Sequence, residues 1–127
     1  MPASVGYKLA QPETPVVCLI GDGSSMYSIQ ALWTAARYGA NVVFVVVDNS
    51  GYYILKGFRD AIGIDDTVPG LDVPGLDLVK MAASMGVRGE RVEKPDDLKA
   101  ALERGLAARW PYLINVAVEP EVPELPS

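Results

Sequence analysis

The sequence predicts an α/β fold in three layers, with a mostly parallel sheet covered by helices on both faces. Two continuous apolar runs, VVCLI (residues 16–20) and VVFVVV (42–47), are too short for helices and rich in β-branched residues, which is typical of strands inside a parallel sheet. Between them the apolar residues follow a helical period. Because the connections are short, the three elements form a βαβ unit with parallel strands.

The first strand, residues 16–20, has an uninterrupted apolar sequence that predicts burial on both faces. The helix that follows is expected over residues 24–38, with Ser24 or Ser25 as its N-cap. Gly39 stands where the residue beyond a helix C-terminus belongs, since glycine adopts the left-handed conformation needed there. The second strand then follows directly.

After the second strand comes a short amphipathic segment, ILKGFRDAIG (residues 54–63). The motif VPGLD then occurs twice, at 68–72 and 73–77, and we interpret the repeat as two successive Pro-Gly turns. The remaining predicted elements are a helix over 77–85, a strand over 91–93, a helix over 95–109 and a strand over 112–118.

The two ends of the chain differ from this regular alternation. MPASVGYKLAQ, at the N-terminus, has the character of a helix end without a starting cap, so the domain is expected to be N-terminally incomplete. We assign residues 1–118 to the domain. Residues 119–127, EPEVPELPS, are rich in proline and are expected to form a loose tail.

Composition excludes several classes of function. The 127 residues contain no histidine and one cysteine, so this chain cannot supply a Ser/His/Asp triad, a zinc finger or an internal disulfide, and any metal must be held by oxygen. The net charge of −5 and the lack of a basic run argue against nucleic acid. No apolar run approaches the length of a membrane span, and a cytoplasmic location is expected.

The residues that carry chemistry follow the two strands of the βαβ unit. Gly21-Asp22-Gly23 ends the first strand and Asp48-Asn49-Ser50-Gly51 ends the second. Because ligands of parallel sheets bind beyond the carboxyl ends of the strands, Asp22 and Asn49 are expected to lie close together. A carboxylate and an amide oxygen beside a helix N-terminus suit a hard divalent cation that carries a phosphate group.

Two other interpretations of these residues stay open on the sequence pattern. The glycines could serve only tight turns, with Asp22 capping the helix. GDGSSM also begins like a nicotinamide dinucleotide fingerprint, and Asp48 stands where a ribose-binding acid would be. However, Met26 replaces the third small residue, and Asp22 would repel a bare pyrophosphate.

The residues Gly21-Asp22-Gly23-Ser24, followed after one crossover by Asp48-Asn49, resemble the diphosphate-binding signature of thiamine diphosphate enzymes. LIGDGSSMYSIQALWTAARYGANVVFVVVDNSGY and VPGLDVPGLDL are similar, more narrowly, to the C-terminal part of the 2-oxo-acid decarboxylases of the benzoylformate decarboxylase type. The resemblance covers nearly the whole chain, and it implies the thiamine diphosphate-binding fold with thiamine diphosphate and Mg²⁺ as cofactors.

The resemblance also implies roles for individual residues. Mg²⁺ would be held by the Asp22 carboxylate, the Asn49 side-chain oxygen and the Gly51 carbonyl, and Ser24 would bind diphosphate. The other implied cofactor-binding residues are Gly21, Gly23 and Tyr52. Leu55 and Phe58 become candidates for the substrate pocket, although as an amphipathic turn they could be plain core residues.

In the family, the activating glutamate and the proton-transferring histidines come from other parts of the polypeptide, so no catalytic residue is assigned in this chain. The expected function is the cofactor-binding portion of a 2-oxo-acid decarboxylase, inactive alone, in an enzyme that acts on a 2-oxo acid as a homo-oligomer. The alternatives are part of an acetolactate synthase-like carboligase, a non-catalytic truncated module, and a nicotinamide dinucleotide-binding domain.

Overall fold

The computed structural model describes residues 1–65 and 67–121. One or two helices separate successive strands along the chain. Their bounds are α1 Pro2–Ala10, β1 Val16–Gly21, α2 Asp22–Ser25, α3 Ala31–Tyr38, β2 Val42–Asp48, α4 Tyr53–Ala61, α5 Leu78–Ser84, β3 Arg88–Val92, α6 Pro95–Ala107 and β4 Tyr112–Ala117. The predicted α/β class is confirmed.

The sheet has four strands in the order β1-β2-β4-β3, and every neighbouring pair is parallel. The register places Gly21 of β1 beside Val47 of β2. The chain therefore leaves both strands at the same edge of the sheet, and the loops after Gly21 and Asp48 begin side by side.

Helices cover both faces of the sheet, which confirms the three layers. On one face, residues of α1, α3 and α5 pack with Phe44, Val46 and Leu113 in the larger core. On the other face, α6 packs through Ala101 on Val43 and Ile114 in a smaller core. Cys18 lies buried in the larger core as a small apolar residue, as free cysteines commonly do.

The helix after β1 differs from the prediction. The backbone turns helical at once, at Asp22, and this short helix ends at Ser25 before α3 starts at Ala31. Neither Ser24 nor Ser25 caps a helix. The Ser25 hydroxyl instead donates a 2.6 Å hydrogen bond to the Asp22 carbonyl oxygen, within the same short helix. The prediction of one helix over 24–38 was wrong because it placed the helix start after the glycines. The end was correct, since Gly39 has a φ of 64°.

The prediction that β1 is buried on both faces was also wrong. Its Cys18 side faces the larger core, but on the opposite side Val17 is exposed and Leu19 has 72% of its surface accessible. The physical reason is the reach of α6, which packs on β2, β3 and β4 and stops short of the edge strand β1. An apolar sequence indicates a strand but does not indicate which layer covers it.

The second half follows the prediction with shifted boundaries. Gly70 and Gly75 both have positive φ after a proline, as the two predicted Pro-Gly turns require. The Asp77 carboxylate accepts a 2.9 Å hydrogen bond from the Lys80 N–H and caps α5. The third strand, predicted over 91–93, lies at Arg88–Val92, and the helix from Pro95 ends at Ala107.

The predicted tail over 119–127 lies largely outside the described residues, which end at 121. Within the described ranges, every helix falls short of the length and apolar character that a membrane crossing needs.

Candidate functional site

A cavity of about 210 Å³ opens where β1 and β2 end. It is lined by Gly21, Asp22, Gly23, Ser24, Val47, Asn49, Gly51, Tyr52, Tyr53 and Ile54. The parallel register of β1 and β2 produces this arrangement, because it brings the GDG and DNSG loops to one edge of the sheet.

Asp22 is the buried acid of this cavity, with only 4% of its surface exposed. Its Oδ2 atom is buried without a hydrogen-bond partner in the described part of the chain. Burial raises the pKa of the Asp22 carboxyl, and the charge of Asp48 raises it further, while the N–H groups of Gly23 and Ser50 partly oppose the shift. The folded chain therefore holds a carboxylate oxygen whose charge it does not compensate.

Asp48, at the end of β2, is equally buried but fully hydrogen-bonded. Its Oδ2 accepts bonds from Arg91 Nη1 at 2.9 Å and Asn115 Nδ2 at 3.1 Å, and its Oδ1 accepts from the Ser50 N–H at 3.1 Å. Burial by itself would raise the pKa of Asp48, but the bonds from Arg91, Asn115 and Ser50 outweigh it and hold the pKa below its usual value.

The loop after β2 is fixed from its other side by residues 71–73, where the two VPGLD repeats meet. The Tyr52 N–H donates to the Leu71 carbonyl at 2.8 Å, and the Val73 N–H donates to the Ser50 carbonyl at 2.9 Å. Between these bonds, Gly51 forms an antiparallel bridge with Asp72. A side chain at Gly51 would approach the Leu71 carbonyl to 2.9 Å, so this position needs a glycine.

Tyr52 connects the two loops across the cavity. Its hydroxyl donates to the Gly23 carbonyl at 3.2 Å, and its ring lies directly over Gly23. A Cβ atom at Gly23 would be 2.5 Å from the ring, closer than such atoms approach. By contrast, a Cβ at Gly21 would meet nothing nearer than 4.0 Å.

The structure brings together the seven residues predicted for cofactor binding, all of which line the cavity: Gly21, Asp22, Gly23, Ser24, Asn49, Gly51 and Tyr52. The two predicted substrate-pocket residues lie elsewhere. Leu55 and Phe58 are on α4, 45% and 52% exposed, and do not line this cavity. Ile54, their neighbour, does.

Comparison with known proteins decides the family. Residues 1–116 match the family described as thiamine pyrophosphate enzyme, C-terminal TPP binding domain. The chain belongs to the thiamine pyrophosphate enzymes. Their C-terminal binding domain accounts for the sheet and for both loops of the cavity.

Individual thiamine pyrophosphate enzymes are similar over almost the whole chain. Benzoylformate decarboxylase of Pseudomonas aeruginosa is 43% identical over 119 residues, which are 94% of this chain and 22% of that protein. The putative acetolactate synthase large subunit IlvX of Mycobacterium tuberculosis is 39% identical over 126 residues, 93% of this chain and 24% of that protein. The chain thus spans about a quarter or less of these relatives.

A solved structure gives the same result. The thiamine diphosphate-dependent 4-hydroxybenzoylformate decarboxylase of Rhodococcus jostii RHA1 superposes with a TM-score of 0.91 and 43% identity, over 97% of this chain and 23% of that one. The thiamine diphosphate-binding fold predicted from the sequence is confirmed. The chain has about a quarter of the length of these enzymes.

The residues of the cavity fit a cation bound with the diphosphate of this cofactor. The described residues contain no cluster of three or more His, Cys, Asp and Glu side chains, so a cation would also need amide and carbonyl oxygens. The Gly51 carbonyl carries no hydrogen bond within the described chain, and Asn49 is half-buried in the cavity wall. With the unpartnered Asp22 Oδ2, these oxygens form a donor set that suits Mg²⁺.

The sequence interpretation missed two residues near the site, Arg91 and Asn115. Asn115 carried a usable signal, because it is an amide within the apolar strand YLINVAV, and a buried amide needs a hydrogen-bond partner. Arg91 gave no such signal, since three of the five residues of the short strand RGERV are charged.

Proposed function

We propose that this chain is the part of a thiamine diphosphate-dependent 2-oxo-acid decarboxylase that binds Mg²⁺ and the diphosphate group. The observation that carries the proposal is the Asp22 Oδ2 atom, which is buried at the cavity without a hydrogen-bond partner. Leaving a buried carboxylate uncompensated is unfavourable, and a divalent cation removes that penalty.

Each chain residue then has a defined task. Asp22, Asn49 and the Gly51 carbonyl hold the cation, and the exposed Ser24 hydroxyl beside them binds a diphosphate oxygen. Tyr52, which bonds the Gly23 carbonyl, keeps the two loops at a fixed separation. Thiamine diphosphate supplies, when bound, the electron sink that decarboxylation of a 2-oxo acid requires. The chain orients the diphosphate end of that cofactor.

The relatives and helix α4 support a 2-oxo acid with an apolar group as the substrate. Two similar proteins are decarboxylases of benzoylformate or its 4-hydroxy form, as their names state. Leu55 and Phe58 present apolar surface on α4, next to the cavity-lining Ile54. This placement suits contact with the apolar group of a 2-oxo acid. The same exposed surface suits association of copies in a cytoplasmic homo-oligomer.

A carboligase of the acetolactate synthase type is the second candidate, favoured by the 39% identity to the Mycobacterium tuberculosis protein. Chimeras in which residues 1–118 replace the matching segment of each relative distinguish the two candidate functions. A decarboxylase origin predicts that the benzoylformate decarboxylase chimera keeps the larger fraction of its parent's kcat/KM. A larger retained fraction in the acetolactate synthase chimera would favour the carboligase.

Calorimetric titration of the full chain with thiamine diphosphate tests the cofactor site. We expect Mg²⁺-dependent binding weaker than micromolar, because only the diphosphate end is held, and no binding by Asp22→Asn. Asp96→Asn, an exposed acid at the start of α6, is the matched control and should bind normally. Binding that needs no Mg²⁺ or survives Asp22→Asn would contradict the proposal, as would saturable binding of NADH.

The isolated chain is also proposed to be inactive, because it contains no histidine to transfer protons. Incubation with benzoylformate, thiamine diphosphate and Mg²⁺ should release no benzaldehyde above the rate without protein. Turnover by the chain alone would show that its own residues are sufficient for catalysis.

A further inference from the structure

The backbone between the two proposed loop ligands, Asn49 and Gly51, passes through an unfavourable conformation. Ser50 has a φ of 59°, and it is the one residue other than glycine with positive φ in the described ranges. Side chains disfavour this left-handed region, so a serine remains there only when its surroundings hold it. The direction of the Asn49 side chain and of the Gly51 carbonyl depends on this residue.

Asp48 provides that hold. Its Oδ1 accepts the Ser50 N–H at 3.1 Å and the Ser50 hydroxyl at 3.3 Å. Its Oδ2 faces the sheet and accepts Asn115 Nδ2 from β4 and Arg91 Nη1 from β3. Both oxygens are therefore occupied by the chain itself, and Asp48 cannot bind a cation without losing these bonds.

We propose that Arg91, acting with Asn115 through Asp48, is a positioning residue for the loop of residues 49–51, which carries two of the proposed cation ligands. Arg91 lies 43 positions from Asp48 in sequence, and its guanidinium is also bonded to Glu93 at 3.2 Å, which limits its rotation. The network fixes Asp48, Asp48 fixes the left-handed turn at Ser50, and the turn presents the two loop ligands. This inference rests on the proposed function, because it presupposes the cation.

The simpler alternative treats Arg91 only as a counter-charge for the two acids. The two roles predict opposite signs. Removing a positive charge near a cation site strengthens cation binding by Coulomb's law, whereas removing a positioning residue weakens it. The direction of the change in affinity therefore distinguishes the two roles.

The experiment measures Mn²⁺ binding to the full chain from the electron paramagnetic resonance signal of free Mn²⁺, since Mn²⁺ shares the oxygen ligands of Mg²⁺. Arg91→Met should raise the dissociation constant about tenfold. Arg91→Gln, which keeps a hydrogen-bond donor without the charge, should lie closer to the natural chain. Arg104→Met is the matched control, because Arg104 bonds Glu90 on the same strand and does not reach the loop.

A second substitution at Ser50 tests whether Arg91 acts through the left-handed turn. Ser50→Gly removes the left-handed penalty, so adding it to Arg91→Met should restore affinity to within about twofold of the natural chain. Unchanged or tighter Mn²⁺ binding by Arg91→Met would overturn this inference and leave the proposed function standing. The same holds if Ser50→Gly fails to restore the affinity of Arg91→Met in a chain with a normal circular dichroism spectrum. Absence of Mn²⁺ binding by the natural chain, both with and without thiamine diphosphate, overturns the proposed function and this inference together.

Discussion

The ends of β1 and β2 carry two acids, Asp22 and Asp48, that are similarly buried but differently satisfied. Asp48, 8% exposed, is bonded by Arg91, Asn115 and Ser50, and its pKa is lowered. Asp22, 4% exposed, has one oxygen with no partner in the described chain, and its pKa is raised.

The difference assigns the two acids to different tasks. An acid that its own chain neutralises stabilises the fold, whereas an acid left uncompensated weakens the fold until a ligand arrives. The sequence motif alone does not separate them, because both acids follow an apolar strand and precede a glycine-containing turn. Their partners in the sheet make the distinction.

The largest expected effect comes from removing the satisfied acid. Asp48→Ala should lower the free energy of unfolding by about 3 kcal/mol, because it leaves Asn115 buried without its partner and releases the turn at Ser50. Urea denaturation of the full chain measures this. A loss below about 1 kcal/mol would mean that the network stabilises little, and the contrast with Asp22 would fail.

The connection between the two strand ends can be tested at Gly23. Gly23→Ala should cost about 2 kcal/mol, because the new methyl group displaces the Tyr52 ring and its bond to the Gly23 carbonyl. Gly21→Ala, with no atom nearer than 4.0 Å, is the matched control and should cost clearly less in the same urea titrations. Equal losses at both glycines would show that backbone freedom, and not the ring, sets the requirement.

Removing the uncompensated charge should act in the opposite direction. Asp22→Asn should raise the stability of the chain in EDTA by about 1 kcal/mol, since a neutral amide replaces a buried carboxylate that has one oxygen without a partner. In saturating Mg²⁺ the order should reverse, because only the natural chain gains binding energy. Thermal unfolding with and without Mg²⁺ checks both halves. A variant less stable in EDTA would indicate that the chain already compensates Asp22.

The smallest effect concerns a carboxylate away from both loops. Hydrogen bonds from Arg104, foremost, and from Tyr112 hold the pKa of Glu90 below 4.5, so the group adds stability above pH 4.5 and loses it as the pH falls through the folded pKa. The gain should be under about 1 kcal/mol, because the Arg104 side chain is largely exposed. Glu90→Gln should flatten this acid limb in urea titrations between pH 5 and 3. If Glu90→Gln leaves the loss of stability at acidic pH unchanged, other carboxyl groups cause that loss.

Much of the fold was predictable from short apolar runs and glycine positions. VVCLI and VVFVVV gave parallel strands, and Gly39 gave the end of a helix. Exposure of Leu19 was not predictable, because it depends on how far α6 extends across the sheet. The helix start at Asp22 was missed because Gly23, a residue type that disfavours helix interiors, lies inside α2.

The site was predictable where its residues follow a strand end and unpredictable where they cross the sheet. The GDG and DNSG loops lie together because parallel register places them there. Arg91 and Asn115 reach Asp48 only through the order β2-β4-β3, which no local pattern contains.

The junction of the two VPGLD repeats has a practical consequence for protein engineering. Residues 71–73 exchange backbone hydrogen bonds with Ser50 and Tyr52, so this stretch is not an independent surface loop. Transplanting it between homologues, or changing its length by one residue, would also rebuild the neighbouring turn. Library designs that vary either segment should therefore exchange 49–53 and 68–77 together.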